Sequence, residues 1–195
     1  MKNLKVWPHL TIVGVVIALL AGLGVAWWMK HEPSASAETL PYAARIQRVD
    51  GEVAFSDALV SNDTYDNAQW VAATQNQPFS VGDRIYTRDN SRTSLAFSGR
   101  NFARLEPNTA LDVINLYDGR TQVALREGSA FFDVGYLDDD DLFEVATPYG
   151  AVDLVQPGLY NVGFDNNGNV LVSVLSGLAQ VVGLSGSGQI GKGEM

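Results

Sequence analysis

Cysteine is absent from the 195 residues. Thiol nucleophiles, iron–sulfur clusters, Cys-based zinc sites and disulfides are excluded together. Histidine is nearly absent: the two present are His9 and His31, so the rest of the chain lacks the commonest general base and the commonest metal ligand. Positive charge is sparse as well. After residue 37, ten Arg and Lys stand against 21 Asp and Glu, a net charge of −11, and the basic residues come singly. Nucleic acid is therefore not expected as a partner, nor are anionic headgroups for this part. Helical periodicity is missing too, since no stretch after residue 30 holds a 3.6-residue apolar repeat.

One long hydrophobic run is present. Residues 10–28 carry no charge and a single hydroxyl, Thr11. As a helix at about 1.5 Å per residue the run crosses roughly 28 Å, about the thickness of bilayer hydrocarbon. Lys2 and Lys5 precede it, whereas Lys30 beyond it is offset by Glu32. The positive side should stay cytoplasmic, which puts the larger part of the chain on the far side of the membrane it spans once. Trp7 and Trp27-Trp28 sit where indoles favour the two interfaces. The competing reading is a signal peptide cleaved after Ala37, because Ala35-Ser36-Ala37 has the small-x-small form. Gly14, Ala18, Gly22 and Ala26 recur every fourth residue and form a candidate helix-pairing face for a homodimer. The alternative is the general abundance of Gly and Ala in membrane helices.

The expected organisation is a cytoplasmic stub (1–9), a transmembrane anchor (10–28), a linker (29–41) and an all-β domain (42–183). A glycine-rich tail (184–195) reads as cut short of the fold's natural edge. The linker is small, polar and carries Pro33. From residue 42 apolar and polar residues alternate in short runs, punctuated by Asp50-Gly51, Gln75–Ser80 with Pro78, Arg88–Ser91, Pro107–Thr109, Asp118-Gly119, Glu127-Gly128 and Asp165–Gly168. Strands of this length at roughly ten-residue spacing predict a solenoid-like or rolled antiparallel sheet of many short strands. Asp50-Gly51 and Asp165–Gly168 read as hairpin turns. Gly82, Gly128, Gly158 and Gly177, each just before a strand, suit glycine corners.

The candidate chemistry is thin. Asp138 to Asp141, with Asp133 and Glu144 nearby, offers oxygen ligands for Ca²⁺, but the spacing of a dedicated calcium loop is missing and a solvated loop is the reading preferred. Asp165-Asn166-Asn167-Gly168-Asn169 lacks that spacing too, so a hairpin turn is expected. Carboxylate pairs such as Asp112 with Asp133 can be drawn, but nothing in the sequence brings them together. Gly186 to Gly193 lacks the Lys-Ser/Thr end of a phosphate loop. Tyr86, Phe97, Phe102, Phe131, Phe132, Phe143 and Tyr160 recur along strands and are assigned to the core, unless one of a pair faces outward as a docking or glycan-stacking surface. No catalytic residue, metal or cofactor is expected.

Taken in order, several stretches resemble the FecR-like periplasmic domain: Val49 to Val53, the Gly82-Asp83-Arg84-Ile85-Tyr86-Thr87 corner, Ser91 to Leu105, Glu106-Pro107-Asn108-Thr109, Glu127-Gly128, Phe143 to Pro148, Pro157 to Val162 and Val172 to Gly177. Trp70-Val71-Ala72 ahead of the first corner marks a subgroup. The resemblance implies an all-β domain outside the inner membrane. In the best-known members that domain relays a signal from an outer-membrane transporter to a cytoplasmic sigma factor, and a cytoplasmic anti-sigma domain precedes the membrane helix. Here residues 1–9 stand in that place, so the expectation is a tethered interaction or sensory module with an envelope protein partner. The alternatives are a cell-wall or glycan-binding module and, more remotely, a carboxylate-based hydrolase.

Overall fold

A computed structural model describes residues 43–57, 69–97, 100–183 and 186–194, all within the unit Pro41–Met195. The hydrophobic run, its face of Gly14, Ala18, Gly22 and Ala26, and the Ala37 cleavage position lie outside the described residues.

Among the described residues there are strands and no helix. In chain order they are β1 (Ala44–Asp50), β2 (Val53–Ser56), β3 (Val71–Ala72), β4 (Pro78–Phe79), β5 (Arg84–Thr87), β6 (Arg92–Ala96), β7 (Asn101–Leu105) and β8 (Thr109–Tyr117). There follow β9 (Arg120–Glu127), β10 (Ser129–Val134), β11 (Leu142–Thr147), β12 (Gly150–Leu154), β13 (Gly158–Phe164), β14 (Val170–Ser176), β15 (Leu178–Gly183) and β16 (Gly186–Gly191). They form two sheets. One has seven strands in the order β14-β13-β10-β7-β6-β1-β4, the other nine in the order β16-β15-β12-β11-β9-β8-β5-β2-β3. The chain places one or two strands in one sheet and then crosses to the other.

Period-2 patterning explains the two layers. Along β10, Ala130, Phe132 and Val134 are buried while Phe131 and Asp133 are half-exposed on the opposite face. The inner faces of both sheets share one hydrophobic core. Phe132 of the seven-stranded sheet meets Phe143 of the nine-stranded sheet edge-to-face at 5.9 Å, and Phe97 meets the same ring at 5.6 Å. Phe55 and Phe79 make a third contact between the layers at 6.2 Å. Such T-shaped pairs add about 0.5–1.5 kcal/mol beyond the area they bury.

Three expectations need correcting. Asp50-Gly51 is not a hairpin: β1 pairs with β4 and β6, β2 pairs with β3 and β5, and Gly51, at φ +81°, carries the chain from one sheet to the other. The sheets are not wholly antiparallel, because β11 runs parallel to β9. The reason is that β10 leaves for the other sheet between them, so the returning strand keeps its neighbour's direction. Finally, the stretch around Pro78 is no mere loop, since Pro78 and Phe79 form the edge strand β4, a place that tolerates a residue without a backbone donor.

Hydroxyls fasten the corners. Thr87 Oγ1 accepts the Thr109 N–H at 2.9 Å and donates to the Glu106 carbonyl at 2.6 Å. Thr109 Oγ1 in turn accepts the Ser129 N–H at 3.0 Å, and Ser91 Oγ accepts the Glu52 N–H at 2.8 Å. Backbone donors that leave the ladder at a crossing are thus satisfied without water.

Candidate functional site

The sequence scatters its arginines; the pairing of β1, β6 and β7 gathers them. Arg48 stands opposite Ser94, and Ser94 stands opposite Arg104. In the adjacent row Asp50 stands opposite Arg92, whose Nε donates to Glu106 Oε2 at 2.9 Å. Arg48, Asp50, Arg92, Ser94, Arg104 and Glu106 line a groove of about 530 Å³ on the outer face of the seven-stranded sheet. That volume falls in the range of about 300–1,000 Å³ typical of ligand sites. With strands about 4.8 Å apart, Arg48 and Arg104 are rooted roughly 10 Å from each other, on either side of a serine too short to separate them.

The three arginines differ in occupancy. Arg48 Nη2 lies 3.4 Å from Asp50 Oδ2, and Arg92 is held by Glu106. Arg104 is exposed and has no carboxylate partner among the described residues. Its neighbour across the next pairing is Phe131, half-buried on the same face. A guanidinium presents five donors in a fixed fork that matches a carboxylate bidentately, so this groove is suited to holding carboxylates. The sequence could not show it, because β1 and β6 are joined only through four intervening crossings of the core.

The acidic candidates do not assemble. Asp138 accepts the Tyr136 hydroxyl at 2.7 Å, and its own N–H donates to Asp141 Oδ2 at 2.9 Å. That hydrogen bond to Asp138, with its charge, holds the Tyr136 phenol above its ordinary range. Asp133 faces outward on the seven-stranded sheet and Glu144 lies on the nine-stranded one, so neither joins the turn. Among the described residues no group of three or more His, Cys, Asp or Glu could hold a metal ion. Asp165 spends its oxygens inside its own hairpin, accepting the N–H groups of Asn167 and Asn169 at 2.8 Å each and the Asn169 amide at 2.9 Å, which lowers its pKa. Asp112 and Asp133 lie on different sheets, and Asp112 binds Arg126 at 3.0 Å. The carboxylates that do face each other are Glu144 and Asp153. They belong to a polar row across the outer face of the nine-stranded sheet: Asn115, Gln122, Glu144, Asp153, Gln180 and Gln189. Asn115 donates to Gln122, whose Nε2 donates to Glu144 at 3.1 Å.

The family model described as "FecR protein" matches residues 83–180, half of the chain. The chain belongs to the FecR family. The FecR match includes β6, β7 and the whole row from Gln122 to Gln180, while Arg48 and Asp50 lie ahead of it. Among solved structures, a candidate anti-sigma factor from Parabacteroides distasonis ATCC 8503, determined at 1.65 Å, is similar at 20% identity with a TM-score of 0.50, covering 56% of this chain and 51% of that one. A second structure of such a factor from the same organism, at 2.50 Å, gives 21% identity and a TM-score of 0.49 over the same shares. The chain therefore spans about half the length of the solved structures it matches, and the likeness bears on the fold alone. No curated protein matches it.

Proposed function

We propose that this FecR-family chain is a non-enzymatic regulatory or sensory module. It is tethered in the inner membrane by residues 10–28, displays its all-β domain in the periplasm, and binds an envelope protein through the outer face of the seven-stranded sheet. Family membership over residues 83–180 carries the reading, because FecR-type proteins are regulatory. The uncharged run and the lysines ahead of it support the tether. The small-residue face of Gly14, Ala18, Gly22 and Ala26 supports pairing of two copies in the bilayer.

The test is site-specific photocrosslinking in intact cells, with a photoreactive residue at Ser94 in the groove or at Gln180 on the opposite sheet of the tethered chain. The expected result is a discrete adduct with one envelope protein from Ser94 and none from Gln180. Absence of any adduct from Ser94 would refute the docking surface. Fractionation checks the tether, which predicts recovery in membranes with the domain open to protease only in spheroplasts.

One observation favours a second reading, a glycan-binding module. The row from Asn115 to Gln189 aligns carboxamides and carboxylates beside the small side chains Ala124, Ala146 and Ala151, leaving a flat track lined with hydrogen-bonding groups. Pull-down with purified peptidoglycan tests it, and the reading falls if the chain stays in the supernatant.

A further inference from the structure

The groove holds its own carboxylates where foreign ones would sit. Asp50 covers Arg48 and Glu106 covers Arg92, both across exposed or half-exposed pairs, while Arg104 between them and Phe131 is left open. We propose that this groove binds an extended acidic segment of a partner protein, with one carboxylate clamped by Arg104 and a second displacing Glu106 from Arg92. The proposal rests on the reading of this face as the docking surface and adds the chemistry of what docks.

Three observations fix that chemistry. Arginine, not lysine, supplies every cation in the groove, and the guanidinium fork is matched to carboxylates. Arg48, Arg92 and Arg104 are rooted on three successive strands, and Arg92 and Arg104 are diagonal neighbours about 7–8 Å apart, a spacing at which each can take its own carboxylate. An extended peptide presents same-face side chains about 7 Å apart, within reach of these flexible arms. Around the groove the domain is acidic, with a net charge of −11 after residue 37. At physiological ionic strength charges beyond about 8 Å are screened, so a ligand seated in the groove feels the arginines first. An acidic partner that misses the groove meets a surface of net negative charge, which makes the contact selective.

Asp50 and Glu106 then act as built-in competitors. A ligand must exchange one ion pair for another at Arg92, whereas at Arg104 it gains a new one. Replacing Arg104 and replacing Glu106 should therefore change binding in opposite directions, which a purely structural role for these side chains does not produce.

The experiment uses the full chain in uncharged detergent and a fluorescein-labelled hexaglutamate peptide, read by anisotropy. Hexalysine and vesicles of phosphatidylglycerol serve as comparators. The expected result is binding of hexaglutamate that fades as salt is raised from physiological to about three times that level. Arg104→Gln should weaken it about 10-fold. Glu106→Gln should tighten it about 3-fold by freeing Arg92. Arg120→Gln, which removes a cation stacked on Tyr117 in the other sheet, should change nothing. The proposal is overturned if hexaglutamate fails to bind, if Arg104→Gln binds as well as the parent, or if the vesicles bind in its place. A Ser94 adduct in cells without hexaglutamate binding would leave the docking surface standing and remove the acidic ligand. Hexaglutamate binding without an adduct would do the reverse.

Discussion

The hydroxyl of Tyr160 joins two corners of the fold. It donates to the Gln156 carbonyl and accepts the Leu178 N–H at 3.1 Å, in a position where the whole residue is buried. Burial pushes its phenol above the ordinary range, against the pull of those backbone contacts. Tyr160→Phe leaves the Leu178 donor without a partner and should cost about 1–3 kcal/mol in a denaturant titration. Asp153 offers a different test. Burial, and then the facing charge of Glu144, raise its pKa, and its Oδ1 is buried without a partner among the described residues. A carboxyl whose folded pKa is raised binds more protons folded than unfolded, so it lowers stability as pH climbs through that window. Asp153→Asn removes the repulsion and offers Glu144 a donor. It should therefore raise stability at pH 7 by the order of 0.2–1 kcal/mol, the scale of a like-charged cross-strand pair, read in a denaturant titration. The gain should vanish below the ordinary aspartate range, and an equal gain at acid pH would refute the account. The sequence reads Tyr160 as core correctly, but the partners of its hydroxyl are main-chain atoms brought close only by the crossings.

The crossing is the element on which the architecture depends. Of the nine passages between sheets, seven contain a residue with positive φ: Gly51, Asn76, Gly82, Asn90, Asn108, Gly128 and Gly177. Glycine takes this backbone at no steric cost, and asparagine is the side chain that tolerates it best. At Gly128, φ +80°, an added Cβ would lie 2.4 Å from the Asn108 carbonyl oxygen and 2.3 Å from Thr109 Oγ1, the hydroxyl that fastens the same corner. Gly128→Ala should cost more than about 2 kcal/mol, well beyond an ordinary glycine replacement. Gly188→Ala on the edge strand β16 meets nothing within 4 Å and should stay within about 0.5 kcal/mol. Denaturant midpoints of both variants decide the point. These corners also show why the strands were legible and the sheets were not. Alternation within Ser129–Val134 is local and reads directly from sequence. Asp50-Gly51, which crosses, and Asp165–Gly168, which closes the β13–β14 hairpin, carry the same turn chemistry. What separates them is which distant strand takes up the hydrogen bonds. For the same reason the arginine groove was hidden while its residues were in plain view.

At the scale of the molecule, protection should fall from the centre outward. β8, β9, β10 and β11 have neighbours on both sides, whereas β3 and β16 end one sheet and β4 and β14 end the other. The β14 edge is partly closed by the last residues, with the Gly193 N–H donating to the Val174 carbonyl at 2.8 Å. Hydrogen exchange followed by mass spectrometry should find β3, β4 and β16 open first and the β8–β11 block last. Uniform protection would mean that the domain opens only as a whole. The proposed pairing of two copies through residues 10–28 predicts that Gly14→Ile with Gly22→Ile abolishes crosslinked dimers, and undiminished crosslinking would remove the pairing face.

Strand pairing stays local along the chain. Among the described residues the widest partnership, Arg45 with Ala96, closes 51 residues, and no strand near the start waits for one near the end. A chain delivered from its amino end can therefore settle strand by strand, each new segment finding a template already laid down. Loop closure then stays inexpensive at every stage, and the interval in which bare edges could meet those of another molecule is short.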